Sequence, residues 1–260
     1  MFSRYVALGD STTEGMDDPR PDGTYRGWAD RLAERLAQDN PDLLYANLAI
    51  RGRRIYQVRD EQLAQALAFQ PDLATVVAGS NDLLRRRYDP DATAGCLEMM
   101  LTELRAVGAT AMTFTLPDLS CVSPIARLVR TRLFAYNEAI REVGQRTGAI
   151  VVDIAAEPVA LDPRLWSVDR LHASPLGHER IAGALCHALG LDPDDRSWAD
   201  PLPPLPRRRP HALVAAEVVW AHRYFTPWII RRLRGRSSGD GRTAKRPDLA
   251  PLAPGAAGER

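Results

Sequence analysis

A chain of 260 residues has room for one domain of about 200 residues and an appendage. Its 45% hydrophobic and 26% charged residues belong to a globular protein and exclude a fibrous or largely disordered one. The net charge of +1 hides an asymmetry: residues 1–195 carry 21 Arg against 28 acidic residues, and residues 196–260 carry 13 basic against 5 acidic, so body and tail are expected to do different jobs. No apolar run is long enough to span a membrane, and Met1–Leu8 meets Gly9 and Asp10 too early for a signal peptide. A cytoplasmic protein is expected. Cys96, Cys121 and Cys186 are far apart and lack C-x-x-C spacing, which points to neither a disulfide framework nor a cysteine metal cluster.

In chain order, the predicted strands are Arg4–Leu8, Leu44–Ala49, Leu73–Ala78, Ala109–Leu116 and Ala149–Ile154. Between and after them come predicted helices at Trp28–Gln38, Ile55–Phe69, Ala92–Val107, Ile125–Thr147 and Leu176–Leu189. Trp28, Leu32 and Leu36 recur every fourth residue, as do Ile181, Leu185 and Leu189, so each of these helices buries one stripe. Strands alternating with amphipathic helices predict β-α-β units around a parallel sheet covered on both faces. After a folded domain expected at 1–195, five prolines and Arg207–Arg209 predict a stiff linker over 196–210. Residues 211–234 read as a basic aromatic helical segment kinked at Pro227, and 235–260 as a disordered tail.

Chemistry concentrates where the predicted strands end. Gly9-Asp10-Ser11-Thr12-Thr13-Glu14-Gly15 follows the first strand, and a serine in a tight turn at that edge is placed as a nucleophile; a plain turn with a helix cap is the alternative. Asp169-Arg170-Leu171-His172 lies between the fifth strand and the last helix. There His172 could take the Ser11 proton while Asp169 holds the other ring nitrogen; a loop ion pair or half a metal site is the alternative. Gly52 in Asn47–Gly52 and Asn81 in Gly79–Asp82 could join the Ser11 N–H as three donors to an oxyanion.

With Ser11, Gly52, Asn81 and His172 in this order and Asp169 three residues before the histidine, residues 4–190 resemble the SGNH hydrolases of the GDSL esterase/lipase family. The resemblance implies a three-layer α/β/α sandwich with a parallel five-stranded flavodoxin-like sheet, here carrying a C-terminal helical extension. It implies a serine esterase with Ser11, His172 and Asp169 as the triad, Ser11, Gly52 and Asn81 as the oxyanion hole, and neither cofactor nor metal. The substrate class is a small-molecule or lipid acyl ester, and some members transfer the acyl group to a sugar or alcohol instead.

Four features fall outside that pattern. His178 reads as a structural histidine, and Arg85–Arg87 as a solvated charge run before an anion site. Leu119–Ile125 is placed to wall the acyl pocket. The tail's Trp220, Tyr224, Phe225 and Trp228 beside Arg231, Arg232 and Arg234 could lie on an anionic membrane, or pack on the body or across a dimer; packing is the favoured reading. A silent hydrolase body serving a binding module is the distant alternative, and nucleic-acid binding is not expected.

Overall fold

The first strand, β1 (Arg4–Gly9), is buried at every position after Arg4, the signature of a strand covered on both faces. It lies in the middle of a six-stranded sheet with β2 (Leu44–Asn47), β3 (Leu73–Val77), β4 (Thr110–Phe114), β5 (Ile150–Val152) and β6 (Arg246–Pro251), in the order β5, β4, β3, β1, β2, β6. Strands β1 to β5 are mutually parallel, as predicted. The computed structural model describes residues 1–205, 218–227, 230 and 237–252.

Helices cover both faces of the sheet. On one side α2 (Gly27–Asp39) packs on α8 (Pro175–Ala188); on the other α6 (Pro90–Ala106) packs on α7 (Pro124–Thr147). Trp28, Leu32 and Leu36 face the core from α2, and Ile181 and Leu185 from α8, so the four-residue spacing reports the buried stripe correctly. Ser174 caps α8 by accepting the Gly177 N–H at 3.2 Å. The predicted helix over 55–69 is interrupted: α3 (Ile55–Val58) runs through a π-helical turn (Arg59–Leu63) into α4 (Ala64–Ala68). Between β1 and α2 sits the short α1 (Ser11–Glu14), and after β3 comes the short α5 (Ser80–Leu83).

The sixth strand corrects the five-stranded, all-parallel expectation, and it arises from residues read above as disordered. β6 runs antiparallel to β2 along the sheet edge, where Pro247 and Pro251 are tolerated because one side of the strand needs no donors. Leu249 and Leu252 pack against the core, and Gln65 Nε2 donates to the Pro247 carbonyl at 2.7 Å. Just before it, Lys245, the chain's one lysine, puts Nζ 2.8 Å from Asp30 Oδ1 and donates to the carbonyls of Tyr25 (3.0 Å) and Arg26 (2.8 Å). Such single contacts leave no periodic trace.

Before this strand, Ser197–Ala199 forms one 3-10 turn. The rest of the expected linker, residues 206–210, and the early part of the expected aromatic helix, 211–217, lie outside the described residues, as do Trp228, Arg231, Arg232 and Arg234. Among the described residues no helix is long and apolar enough to cross a membrane.

Candidate active site

The strand order makes the site. β1 is flanked by β3 on one side and β2 on the other, so chains leaving β1, β2 and β3 diverge around one crevice at their carboxyl ends. Ser11 follows β1, Gly52 follows β2 and Asn81 follows β3.

Gly9 lets the first turn close. A Cβ there would lie 2.3 Å from Thr13 Oγ1 and 2.4 Å from the Val77 carbonyl, which no other residue could satisfy. Gln62, buried on the π-helical turn, holds this glycine from both ends: its Oε1 accepts the Gly9 N–H and its Nε2 donates to the Gly9 carbonyl, each at 2.9 Å. Asp10 then caps α1 by accepting the Thr12 N–H at 3.1 Å. That presents Ser11, 8% exposed, at the head of the turn.

The second loop is tied to the first by a buried ion pair. Arg51 donates its backbone N–H to Glu14 Oε2 at 2.8 Å, and its guanidinium grips the same carboxylate. Gly52 follows in the left-handed region at φ 74°, where glycine is at ease. Asn81 arrives from the third loop, and its Nδ2 donates to Asp10 Oδ2 and to the Arg53 carbonyl, both at 3.0 Å. Ser80 Oγ donates to the same Asp10 oxygen at 2.9 Å. Burial raises the Asp10 pKa, and the Thr12 and Ser80 donors and the nearby His172 oppose the rise. Burial likewise pushes Asp82, which accepts the Ile55 N–H, up to about 6.

The fourth loop supplies an oriented imidazole. Asp169 Oδ1 accepts the backbone N–H groups of Leu171 (2.9 Å) and His172 (3.0 Å), and Oδ2 lies 2.6 Å from His172 Nδ1. One carboxylate thus fixes both the turn and the ring, which assigns the proton to Nδ1 and leaves Nε2 as the basic nitrogen. Burial opposes the imidazolium, but the Asp169 hydrogen bond and charge, helped by Asp17 and Asp10, outweigh it and raise the His172 pKa above its ordinary 6.5. The same bond holds Asp169 below the usual carboxylate range against its own burial.

Ser11, Gly52, Asn81, Asp169 and His172 all line one cavity of about 370 Å³. The sequence prediction named the residues that the fold brings together. Two details differ from a site poised for reaction. Among the described residues the Ser11 hydroxyl makes no hydrogen bond to His172, a contact that commonly tightens only with substrate present. In addition, both Asn81 amide protons are already engaged, whereas the N–H groups of Ser11 and Gly52 have no acceptor among the described residues.

Leu119 and Ile125 line the cavity as expected, and Arg85–Arg87 do not. His178 is structural: fully buried, it accepts the Trp28 N–H at Nδ1 (3.2 Å) and donates from Nε2 to the Met16 carbonyl (2.9 Å). Burial holds its pKa down to about 4. Sequence reasoning missed Gln62 and Asp17. Asp17 brings a carboxylate within 4.8 Å of ligand atoms on both Asp169 and His172, but those two are already bonded to each other, so the trio acts as an electrostatic cluster rather than an open metal cage. It also missed the cavity wall built by Trp220, Tyr224 and Phe225.

In sequence, residues 7–180 match the profile of the GDSL-like lipase/acylhydrolase family. No curated protein matches the chain. Among solved structures, an α/β hydrolase from the metagenome of Lake Arreo, Spain, is similar at TM-score 0.61 and 21% identity, covering 72% of this chain and 95% of its own. An acetylxylan esterase from Geobacillus stearothermophilus gives 0.60 at 18%, covering 72% and 94%. An esterase from Pseudoalteromonas gives 0.56 at 16%, covering 74% and 100%. At these identities the likeness is one of fold. Taken with the profile match over two thirds of the sequence, it establishes that the chain belongs to the GDSL-like lipase/acylhydrolase family, whose fold and hydrolase class it shares.

Proposed function

We propose that this protein is a serine hydrolase that cleaves a carboxylic ester through an acyl-enzyme. The observation that carries this reading is the short Asp169–His172 contact, 2.6 Å, in the cavity that also presents Ser11. In the reaction, Ser11 Oγ attacks the ester carbonyl carbon and its proton passes to His172 Nε2. The Asp169 carboxylate steadies the imidazolium that results. Oxyanion charge falls to the open N–H groups of Ser11 and Gly52 and to Asn81, whose amide exchanges one of its present acceptors for the substrate oxygen. Collapse of the tetrahedral intermediate breaks the ester C–O bond, and the alcohol leaves with the proton from His172. Water then repeats the sequence on the acyl-enzyme and frees the acid and Ser11.

The raised His172 pKa suits this role, because a more basic imidazole takes a proton more readily. A reducing, cytoplasmic setting suits the three unpaired cysteines, of which Cys121 is exposed. Turnover of p-nitrophenyl esters, measured for wild type and Ser11→Ala, tests the proposal. Hydrolysis lost with the hydroxyl supports it; equal rates from the two proteins refute it.

A further inference from the structure

The cavity at Ser11 has a wall that the family match does not reach. Residues 220–227, beyond the matched span of 7–180, contribute Trp220, Arg223, Tyr224, Phe225 and Pro227 to its lining. Trp220, 7% exposed, donates its indole N–H to the Asp169 carbonyl at 3.2 Å, so this segment bonds directly to the loop that carries His172. The Arg170 guanidinium lies 4.5 Å from the Trp220 ring centre, and Phe225 stacks on the other aromatic at 5.7 Å and 21°. Ile125, Val129 and Leu133 of α7 line the same cavity.

Further along the chain, the described residues from 237 onward are seated on the body. Beyond it, Ser237 Oγ donates to the Gly52 carbonyl at 3.3 Å, and Gly239 packs so closely that a Cβ would lie 2.0 Å from the Arg51 carbonyl. Lys245 and β6 then anchor the chain in the buried Asp30 cluster and in the sheet. A wall held in this way is a standing part of the pocket.

Resting on the esterase reading above, we infer that the C-terminal segment 220–227 is the acyl-binding wall and selects esters whose acyl group is an apolar chain of several carbons, in preference to acetyl. Beside the nucleophile and its polar donors, the lining is supplied by Ile125, Val129 and Leu133 of α7 and by Trp220, Phe225 and Pro227, which offer apolar surface, with Arg223 and Tyr224 as the polar members of the segment. An acetyl group would leave that surface unused. Each methylene buried there contributes roughly four-fold to binding, so a chain of several carbons accumulates a large preference.

The test compares kcat/KM for p-nitrophenyl acetate, butyrate and octanoate in wild type, Phe225→Ala and Phe225→Leu, with Val129→Trp filling the pocket from α7. The expected wild-type preference for octanoate over acetate is about ten-fold or more. Phe225→Ala and Val129→Trp should each reduce that ratio about ten-fold, and Phe225→Leu should retain most of it. Should Phe225→Ala fail to fold, Val129→Trp and Phe225→Leu still decide. A wild type that prefers acetate, or variants that slow every ester equally, would overturn the inference and leave the esterase reading intact. If no ester of any length is turned over and a serine-directed phosphonate leaves Ser11 unlabelled, the esterase reading falls and takes the inference with it.

Discussion

The body and the C-terminal segment of this chain are built by different rules. In the body, each site residue sits in a loop locked by its neighbours: Gly9 by Gln62, Gly52 through the Arg51–Glu14 pair, Asn81 by Asp10, His172 by Asp169. In the C-terminal segment, isolated anchors do the work: Trp220 on the Asp169 carbonyl, Ser237 on Gly52, Lys245 on Asp30. On the proposed reading the body carries the chemistry and the tail closes the room in which it happens. Substitutions in the first should change kcat, and those in the second should change stability or substrate choice.

The largest effect is expected from Asp169→Asn. It removes the carboxylate that sets the His172 tautomer and stabilises the imidazolium, so kcat should fall by about 10⁴. The pH profile should move too. Wild-type activity requires neutral His172 and is lost as pH falls through a pKa raised above 6.5; without Asp169 the acid limb should shift to lower pH. Unaltered kcat and an unmoved limb would remove Asp169 from the account.

Next comes Asn81→Ala, expected to lower kcat by about 10²–10³ with a smaller change in KM, since the amide meets charge that develops only in the transition state. An effect on KM alone would return Asn81 to the role it has in the structure, a tie between Asp10 and Arg53.

In the tail, Lys245→Ala leaves Asp30 buried beside Tyr45 with one cation fewer, and should cost about 3 kcal/mol, read as a lower midpoint in denaturant. Truncation after Asp195 should lower the melting temperature as well, because it uncovers the β2 edge. A truncated chain as stable as the full one would show that the tail is an appendage.

The smallest effect concerns His178. Its folded pKa is depressed to about 4, so between pH 6.5 and 4 the unfolded chain takes a proton that the native one refuses, and stability drains away as pH falls through that window. His178→Gln should flatten this acid slope by about 1–2 kcal/mol at pH 5 while leaving stability above pH 7 insensitive to pH at this site.

The same contrast decides what could be read from sequence. Five strands and their helices were legible because burial on both faces of a parallel sheet writes long apolar runs and four-residue stripes. Ser11, Gly52, Asn81, Asp169 and His172 were legible because their spacing and order fit one reaction. Gln62 was not: a glutamine in a helix reads as surface, and only the π-helical turn aims it at Gly9. Nor was β6, whose two prolines and few apolar residues resemble a loose tail until Lys245 finds its buried acid 215 positions earlier in the chain. The three expected oxyanion donors line one cavity, yet their states differ: two N–H groups are open and one amide is engaged, which no motif encodes.

The most direct test of the central claim is to treat the protein with a serine-directed phosphonate and locate the adduct by peptide mass spectrometry. The account predicts a single adduct on Ser11, absent from Ser11→Ala and formed far more slowly in His172→Ala, because the attacking hydroxyl depends on that base. Wild-type protein that hydrolyses esters yet carries no adduct on Ser11, or a Ser11→Ala variant that hydrolyses them as fast, would contradict it.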